Sequence, residues 1–271
     1  MQIGFLGGGN MAKAIIKGLI SSGVAHEEIT VAEIDANARR ALTKMRVENS
    51  KNVDILEGAE VVVLAVKPQD LKQALNHAFF KNRNPFFISI AAGIRVETLR
   101  RWIGSRARIA RVMPNLPALI GAGVSGIYAS SEVFRGDRLI ANKIMGAVGK
   151  CYWVEEESLL DTVTAISGSG PAYVFYFIEK LESIGVELGL DRKISHDLTV
   201  NTFLGALKLV LEGKDSPKSL REKVTSRGGT TESALSVFAQ ENVAKIFKKA
   251  LVAAKDRAKE MGKANDNQSR I

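Results

Sequence analysis

Three consecutive glycines near the start of the chain, in GFLGGGNMAKAI (residues 4–15), are the first residues whose spacing suggests chemistry. Gly7, Gly9 and the small Ala12 follow the pattern of a turn that binds a dinucleotide. In such a turn the first glycine permits the bend, and the second lets a pyrophosphate approach the backbone. The helix that follows offers unpaired N–H groups to the phosphates. A purely structural turn is the alternative.

A second group of residues stands at the end of the next apolar run, ITVAE. An acid at the position of Glu33 accepts a hydrogen bond from a free ribose 2′-hydroxyl and repels a 2′-phosphate. Arg39 and Arg40 follow one turn into the next helix, where they could instead pair with a phosphate. Asp35 is interpreted as a helix cap or as a second ribose ligand. The choice between NADH and NADPH therefore stays open.

Two proline-containing turns follow further apolar runs, LAVKPQ (residues 64–69) and RVMPNLPA (residues 111–118). Ligands of open α/β sheets bind beyond the carboxyl ends of the strands, so both turns are predicted to face the cofactor. Lys67 has the alternative of an ordinary surface cation. The turn around Asn115 has the alternative of a rigid connector.

The segment VTSRGGTTESAL (residues 224–235) predicts an anion site. Its glycines and hydroxyl residues come directly before a helix, where N–H groups and hydroxyls converge on a carboxylate. An ordinary helix cap with a glycine lead-in is the alternative. The small residues of AISGSGPAY (residues 165–173) allow close approach of a backbone or a ligand, although packing alone explains them equally well.

The elements that must position these residues alternate along the first half of the chain. Short apolar runs predict buried strands, and segments with helical spacing lie between them: IGFL, ITVAE, VVVLAV, FFISIAA, IARVM, GVSGIYA and CYWVEE for strands, and NMAKAIIKGLISSG, DANARRALTKM, QDLKQALNHAF and VETLRRWIG for helices. This alternation predicts a doubly wound, mostly parallel sheet. Asn10 and Asp35 are predicted N-caps.

After about residue 156 the strand signals stop and every segment has helical spacing, with Ser216 as a predicted N-cap. We therefore predict two domains, residues 1–156 and residues 157–271. The first two helices of the second domain are apolar around much of their circumference, so we predict that they are buried. Such a helical half would be stable against a partner chain as well as against itself. The final polar segment KANDNQSRI is predicted to fray.

Composition narrows the class of protein. The chain has 271 residues, one cysteine, three histidines and a net charge of +9. We predict no metal site, no membrane span and no secretory signal, and a cytoplasmic location. Arginines cluster between residues 95 and 111, yet few aromatic residues lie among them, so the charge predicts a solvated surface and no nucleic-acid partner.

Taken together, the motifs resemble those of the pyrroline-5-carboxylate reductases, which catalyse the last step of proline biosynthesis. GFLGGGNMAKAI, LAVKPQ, SIAAGI, RVMPNLPA, AISGSGPAY and VTSRGGTTESAL occur in the family's order and cover nearly the whole chain. The resemblance implies an α/β N-terminal Rossmann domain followed by an all-α C-terminal dimerisation domain. It also implies a homodimer that forms through these C-terminal helices, with dimers gathered into rings of five.

The resemblance assigns site residues as well. It implies that NADPH or NADH is bound by Leu6, Gly7, Gly9, Asn10, Met11, Glu33, Ala65, Val66, Lys67, Pro68 and Asn115. It implies that the substrate, 1-pyrroline-5-carboxylate, is bound by Ser226, Gly228, Gly229, Thr230 and Thr231. Thr231 is the expected catalytic residue, with its hydroxyl on the ring nitrogen.

Three departures from the family's pattern stand out. Arg227 replaces a usual proline, Leu116 a usual threonine, and Glu33 a small hydroxyl residue, which puts the family's usual NADPH preference in doubt. Two other functions stay open. One is reduction of a different small imino or oxo acid, such as a six-membered cyclic imine. The other is a non-catalytic dinucleotide sensor that binds nucleic acid through its basic face.

Overall fold

The computed structural model describes residues 1–77, 80 and 84–268, without the side chains of residues 266–268. It separates into two compact units, Met1–Ser169 with Ala253–Ile271, and Gly170–Val252. The domain boundary after residue 156 stays a prediction.

The first unit is built around one sheet of eight strands. The strands are β1 Ile3–Leu6, β2 Ile29–Ala32, β3 Glu48–Ser50, β4 Val61–Leu64, β5 Phe86–Ser89, β6 Arg108–Met113, β7 Gly123–Ala129 and β8 Gly149–Trp153. Their order is β3-β2-β1-β4-β5-β6-β7-β8, and every neighbouring pair is parallel except the antiparallel β6 and β7. The predicted doubly wound, mostly parallel sheet is confirmed.

Helices cover both faces of this sheet. They are α1 Asn10–Ser21, α2 Ala36–Lys44, α3 Pro68–Ala74, α4 Val96–Ile103, α5 Arg135–Gly146 and α6 Leu159–Val163. Because successive strand residues point to opposite faces, β1 contributes to two separate cores. Phe5 packs in the core that contains Ile15 of α1, whereas Leu6 packs in the core that contains Leu71 and Leu99. Burial on both faces explains why the strands are apolar throughout.

The second unit is helical. It contains α7 Gly170–Glu187, α8 Arg192–Glu212, α9 Pro217–Lys223, α10 Thr230–Gln240 and the start of α11 Val243–Gln268. Two side chains cap helices here: Asp191 accepts hydrogen bonds from the N–H groups at the start of α8, and Ser216 accepts one from Ser219 N as predicted. In the part of the chain that the structure describes, no helix is both long and apolar enough to cross a membrane.

Four local features of the structure differ from what the sequence predicts. The N-cap of α1 is Gly9, so Asn10 is its first helical residue. The polar strand β3 was not predicted, because its three residues carry no apolar alternation. The pattern QDLKQALNHAF ends as a helix at Ala74, and its last two residues lie outside the described residues. The C-terminal segment, which is predicted to fray, is helical up to Gln268, and Asn265 Nδ2 donates to the carbonyl of Gly93 at 2.9 Å; its last three residues lie outside the described residues.

Candidate active site

The glycine turn joins β1 to α1 at the carboxyl edge of the sheet. Leu6 is 2% exposed, and its carbonyl accepts the N–H of Ala65 at 2.8 Å, which ties β1 to the end of β4. Gly7 has a φ of 99°, and a Cβ there would lie 2.8 Å from the carbonyl carbon of Ala65. Glycine is therefore required at position 7 both for the backbone conformation and for the approach of the two strand ends.

Gly9 shows a different environment. A Cβ on Gly9 would have no atom within 4 Å, so the space in front of the turn is open. Gly9 is the N-cap of α1, and no side chain caps this helix start among the described residues. The N–H groups of Asn10 and Met11 thus lie in the first turn of a helix without an internal acceptor. Open space before an uncapped helix start fits a pyrophosphate group.

Glu33 lies directly after β2 and connects two turns. Its Oε2 accepts the N–H of Gly8 at 2.6 Å, and its Oε1 accepts the N–H of Asp35 at 2.7 Å. The carboxylate is therefore held beside the glycine turn. Asp35 is the N-cap of α2, with Ala38 N donating to its Oδ1 at 2.7 Å, so the cap interpretation of Asp35 is confirmed.

The turn after β4 lies next to the glycine turn. Ala65 contacts Gly7, and Val66 is half-buried. Lys67 is the exposed N-cap of α3, and Pro68 occupies its first turn, where the missing N–H costs nothing. The structure thus brings this turn and the glycine turn together at one edge of the sheet.

Asn115 uses its whole side-chain amide inside the protein. Nδ2 donates to the carbonyl of Ser167 at 3.2 Å, and Oδ1 accepts the N–H of Val124 at 2.8 Å. The residue is 9% exposed. Its partner Ser167 lies in a π-helical turn, Thr164–Gly168, and the segment Leu116–Ile120 that follows Asn115 packs against α1. The side chain therefore holds three segments in place.

The predicted substrate loop lies in the second unit, before α10. Gly228 has a φ of 73°, and its N–H donates to Glu232 Oε2 at 2.6 Å. Gly229 is the N-cap of α10 and donates its own N–H to the carbonyl of Ser226 at 3.0 Å. These bonds shape the loop without a ligand. Arg227, between them, is exposed.

The hydroxyl groups of this region fall into two classes. Thr225, Ser233 and Ser236 each donate to a backbone carbonyl of the preceding helical turn. Among the described residues, by contrast, none hydrogen-bonds the hydroxyls of the three candidate ligands, Ser226, Thr230 and Thr231. These hydroxyls stand at a helix start whose first N–H groups also lack a side-chain cap. Such a set of donors fits a small carboxylate.

Other groups suited to catalysis lie elsewhere. Within residues 1–77, 80 and 84–268, no cluster of three or more His, Cys, Asp or Glu side chains could hold a metal ion. His196 Nδ1 lies 2.7 Å from Glu182 Oε1, and the two side chains form a hydrogen bond. Burial raises the pKa of the Cys151 thiol, which keeps it protonated and a poor nucleophile.

Sequence reasoning missed two partners within these sites. Ser167 was singled out only as part of a small-residue segment, and no sequence signal links it to Asn115, which is 52 residues away. The role of Glu232 had a signal, because an acid in the first turn of a helix often bonds backward to a preceding N–H group.

Comparisons with known proteins agree with this geometry. Residues 157–261 match the family model for pyrroline-5-carboxylate reductase dimerisation, and residues 2–93 match the model for NADP oxidoreductase, coenzyme F420-dependent. The pyrroline-5-carboxylate reductase of Haemophilus influenzae is 40% identical, covering 96% of this chain and 97% of the relative. The reductase of Pseudomonas aeruginosa is 38% identical, covering 96% of both chains.

Solved structures match over the same length. A pyrroline-5-carboxylate reductase from Coxiella burnetii superposes with a TM-score of 0.90 at 38% identity, covering 96% of this chain and 98% of the other. The Plasmodium falciparum enzyme, solved with NADP bound, superposes with a TM-score of 0.84 at 28% identity, covering 97% and 98%. Given this agreement in sequence, fold and motif order, the chain belongs to the pyrroline-5-carboxylate reductase family.

Proposed function

We propose that this protein reduces 1-pyrroline-5-carboxylate to L-proline, with NADPH or NADH as the cofactor. In this reaction the carbon of the cyclic C=N bond gains a hydride and the ring nitrogen gains a proton. The bound cofactor supplies the hydride. Family membership at 40% identity over 96% of the chain supports the proposal. The chain's own residues must bind and orient the two reactants, and such positioning accounts for much of the rate in reactions of this kind.

The cofactor residues divide by role. Gly9 leaves the open space for the pyrophosphate, and the N–H groups of Asn10 and Met11 bind it. Glu33 faces the adenosine ribose, and Gly7 and Leu6 shape the turn.

The turn Ala65, Val66, Lys67 and Pro68 flanks the nicotinamide half of the cofactor. Asn115 acts through the backbone that it holds, because both ends of its amide are already bonded.

The observation that carries the substrate assignment is the set of hydroxyls without internal partners at the start of α10. Ser226 and Thr230, with the N–H groups of the helix start, bind the substrate carboxylate. The hydroxyl of Thr231 forms a hydrogen bond with the ring nitrogen. It donates to the neutral imine nitrogen and accepts from the protonated one. Gly228 and Gly229 give the loop its shape, and Glu232 stabilises it through Gly228 N.

The reaction does not require a strong protein acid. An imine nitrogen takes up a proton far more readily than a carbonyl oxygen does, so a hydroxyl and water suffice as proton sources. The three histidines are not part of either proposed binding site. Orientation of the imine by Thr231 is then the main catalytic contribution of the chain.

The direct test is oxidation of NADPH and of NADH with 1-pyrroline-5-carboxylate, followed by chemical identification of L-proline. We expect turnover that depends on the five-membered substrate and exceeds turnover with its six-membered analogue by at least about tenfold. A higher rate with the six-membered ring would assign the same fold to a different imino acid. Absence of turnover together with salt-sensitive binding to nucleic acid would favour the dinucleotide-sensor alternative.

The protein is a homo-oligomer, since it carries the family's dimerisation region at residues 157–261. We further propose that the basic assembly is a dimer through these helices, that dimers associate into a decamer, and that the enzyme acts in the cytoplasm. Neither nucleic acid nor a membrane is a proposed partner.

A further inference from the structure

We infer that the enzyme selects NADH over NADPH, because Glu33 presents a fixed carboxylate to the 2′-position of the adenosine ribose. The inference rests on the proposed cofactor site and goes beyond it by naming the cofactor. Its basis is the arrangement of charged groups at the carboxyl ends of β1, β2 and β3, which is where the adenosine half of a dinucleotide binds in this fold.

The position of Glu33 is determined by two backbone hydrogen bonds. Gly8 N donates to one carboxylate oxygen at 2.6 Å and Asp35 N to the other at 2.7 Å, so each oxygen is held from a different turn. The backbone N–H of Glu33 itself donates to the carbonyl of Ser50 at 2.8 Å. Each carboxylate oxygen retains a lone pair for a further donor, such as a ribose hydroxyl.

A 2′-phosphate would meet this carboxylate as a like charge. The glutamate side chain cannot rotate away without losing both hydrogen bonds from N–H groups. Repulsion between like charges therefore strongly disfavours the cofactor that carries a 2′-phosphate. Asp35, which caps α2, adds a second negative charge at the same turn. An unphosphorylated ribose gains a hydrogen bond at the place where a phosphorylated one meets repulsion.

The two arginines that follow both make hydrogen bonds within this turn and the helix after it. Arg39 Nη1 donates to the carbonyls of Glu33 and Ile34, at 2.9 and 2.7 Å. Arg40 Nη2 donates to Asn37 Oδ1 at 2.8 Å. Strong phosphate recognition by arginine uses the two parallel N–H groups of the guanidinium fork. Here Arg39 stabilises the turn that carries Glu33, so it supports the carboxylate's position.

Lys51 is the cation that could oppose this selection. It follows β3 at the same edge of the sheet, and its side chain is exposed. An exposed ammonium is screened by water and salt, and it contributes little to a single ion pair. The fixed carboxylate therefore outweighs it.

The test measures binding by titration calorimetry on the full-length protein without substrate. The probes are ADP-ribose and 2′-phospho-ADP-ribose, which differ only in the phosphate. We expect ADP-ribose to bind at least about tenfold more tightly, a difference of about 1.4 kcal/mol. Equal or tighter binding of the phosphorylated probe would overturn the inference.

Variants identify the residue responsible. Glu33→Ser and Glu33→Gln remove the charge, and each should reduce the preference by at least about tenfold. Asp35→Asn is the matched control, because asparagine also caps a helix and only the neighbouring charge is lost. It should change the preference by less than about threefold. A preference unchanged in both Glu33 variants, with their melting temperatures close to wild type, would also overturn the inference.

Turnover separates this inference from the proposed function. Reduction of 1-pyrroline-5-carboxylate with NADPH but not with NADH would refute the cofactor selection and leave the proposed function intact. Absence of reduction with both cofactors would refute the proposed function, while the two ADP-ribose affinities would still decide the selection.

Discussion

At the scale of single residues, the hydroxyl of Thr231 makes the proposed catalytic contribution. It stands in the first turn of α10 and has no hydrogen-bond partner among the described residues. Removing one preorganised donor costs on the order of 10²–10³ in rate where charge develops, and a neutral hydroxyl falls at or below that range. We expect Thr231→Ala to lower kcat/KM at least about tenfold while the binding of cofactor stays unchanged.

Two matched variants make this test specific. Thr231→Ser keeps the hydroxyl and should recover most of the activity. Ser236→Ala removes a hydroxyl of the same helix that is bonded to the carbonyl of Glu232, so it should leave kcat/KM within about twofold. Thr231→Ala with wild-type activity would remove Thr231 from the mechanism.

The side chain of Asn115 hydrogen-bonds the backbone of Ser167 and Val124, so we expect its substitution to lower the stability of the fold. In Asn115→Asp the group that donates to Ser167 O becomes an acceptor facing an acceptor. A buried polar group left without its partner costs about 1–3 kcal/mol. We expect the free energy of unfolding to fall by about 1–3 kcal/mol, measured as a lower urea midpoint. Cofactor binding should weaken as a consequence.

Asn142 provides the control for this substitution. Among the residues that the structure describes, its only hydrogen bond is through Oδ1, which accepts from Trp153 Nε1 at 3.0 Å, and an aspartate keeps that oxygen. Asn142→Asp should leave the urea midpoint nearly unchanged. Equal midpoints for the two variants would show that the bond from Asn115 to Ser167 contributes nothing.

At the scale of elements, the unit made of β1, the glycine turn and α1 carries the cofactor assignment. Gly9→Ala distinguishes binding from folding. A methyl group at this position meets no atom within 4 Å, and the φ of −66° suits alanine. The free energy of unfolding should change by less than about 1 kcal/mol. The methyl group would occupy the space proposed for the pyrophosphate, so NADH affinity should fall at least about tenfold.

Gly7→Ala supplies the contrast within the same turn. It combines a φ of 99° with a Cβ 2.8 Å from the carbonyl carbon of Ala65, so it should destabilise the fold by at least about 1 kcal/mol. Cofactor titration and urea unfolding on both variants check the pair. If Gly9→Ala binds NADH as tightly as wild type, the pyrophosphate does not lie at this turn.

Helices and strands could be predicted from the sequence where their own residues determine their conformation. The buried strands and the glycine turn follow from apolar runs and from spacing, and both are found in the structure. The polar β3 was missed because β2 beside it, and not its own composition, makes it a strand. The C-terminal helix was misjudged for a similar reason, since the contact of Asn265 with Gly93 links residues 172 positions apart.

The same limit applies to the candidate site. Gly7, Gly9 and the loop before α10 could be identified, because close backbone approach and helix starts restrict the residue type. The engagement of Arg39 with two carbonyls could not, since a guanidinium has several partners within reach and only the folded turn selects among them. That engagement stabilises the turn that carries Glu33.

At the scale of the whole molecule, three arginines of the cluster between residues 95 and 111 form ion pairs. Arg100 pairs with Glu132, Arg108 pairs with Asp137 at 2.7 Å, and Arg111 pairs with Glu157 at 3.0 Å. A neighbouring carboxylate partly neutralises the charge of each arginine, which makes it a weaker phosphate ligand. The cluster therefore contributes to the packing of the first unit.

The second unit, considered alone, exposes large apolar side chains on the helices that the sequence predicts to be buried. On α8, Ser195 and Thr199 are the buried residues, whereas many larger apolar side chains are exposed: Ile194 52%, Leu198 55%, Leu204 48%, Leu207 54%, Leu209 61% and Leu211 74%. Extensive exposed apolar surface of this kind is typical of a protein–protein interface. The helix lies within residues 157–261, which match the family's dimerisation model, and we propose that a second copy of the chain covers this surface.

The final prediction follows from that exposed helix. In a symmetric dimer each interface residue occurs twice, and burial of one leucine side chain contributes about 1.5–3 kcal/mol, so loss of Leu204 from both chains removes about 3–6 kcal/mol. We expect Leu204→Glu to weaken dimerisation at least about 100-fold and to lower the molar mass measured by light scattering at micromolar concentration. Lys218→Glu, exposed on α9, controls for the added charge and should leave the mass unchanged. A Leu204→Glu variant that keeps the wild-type mass upon dilution would exclude this helix from the interface.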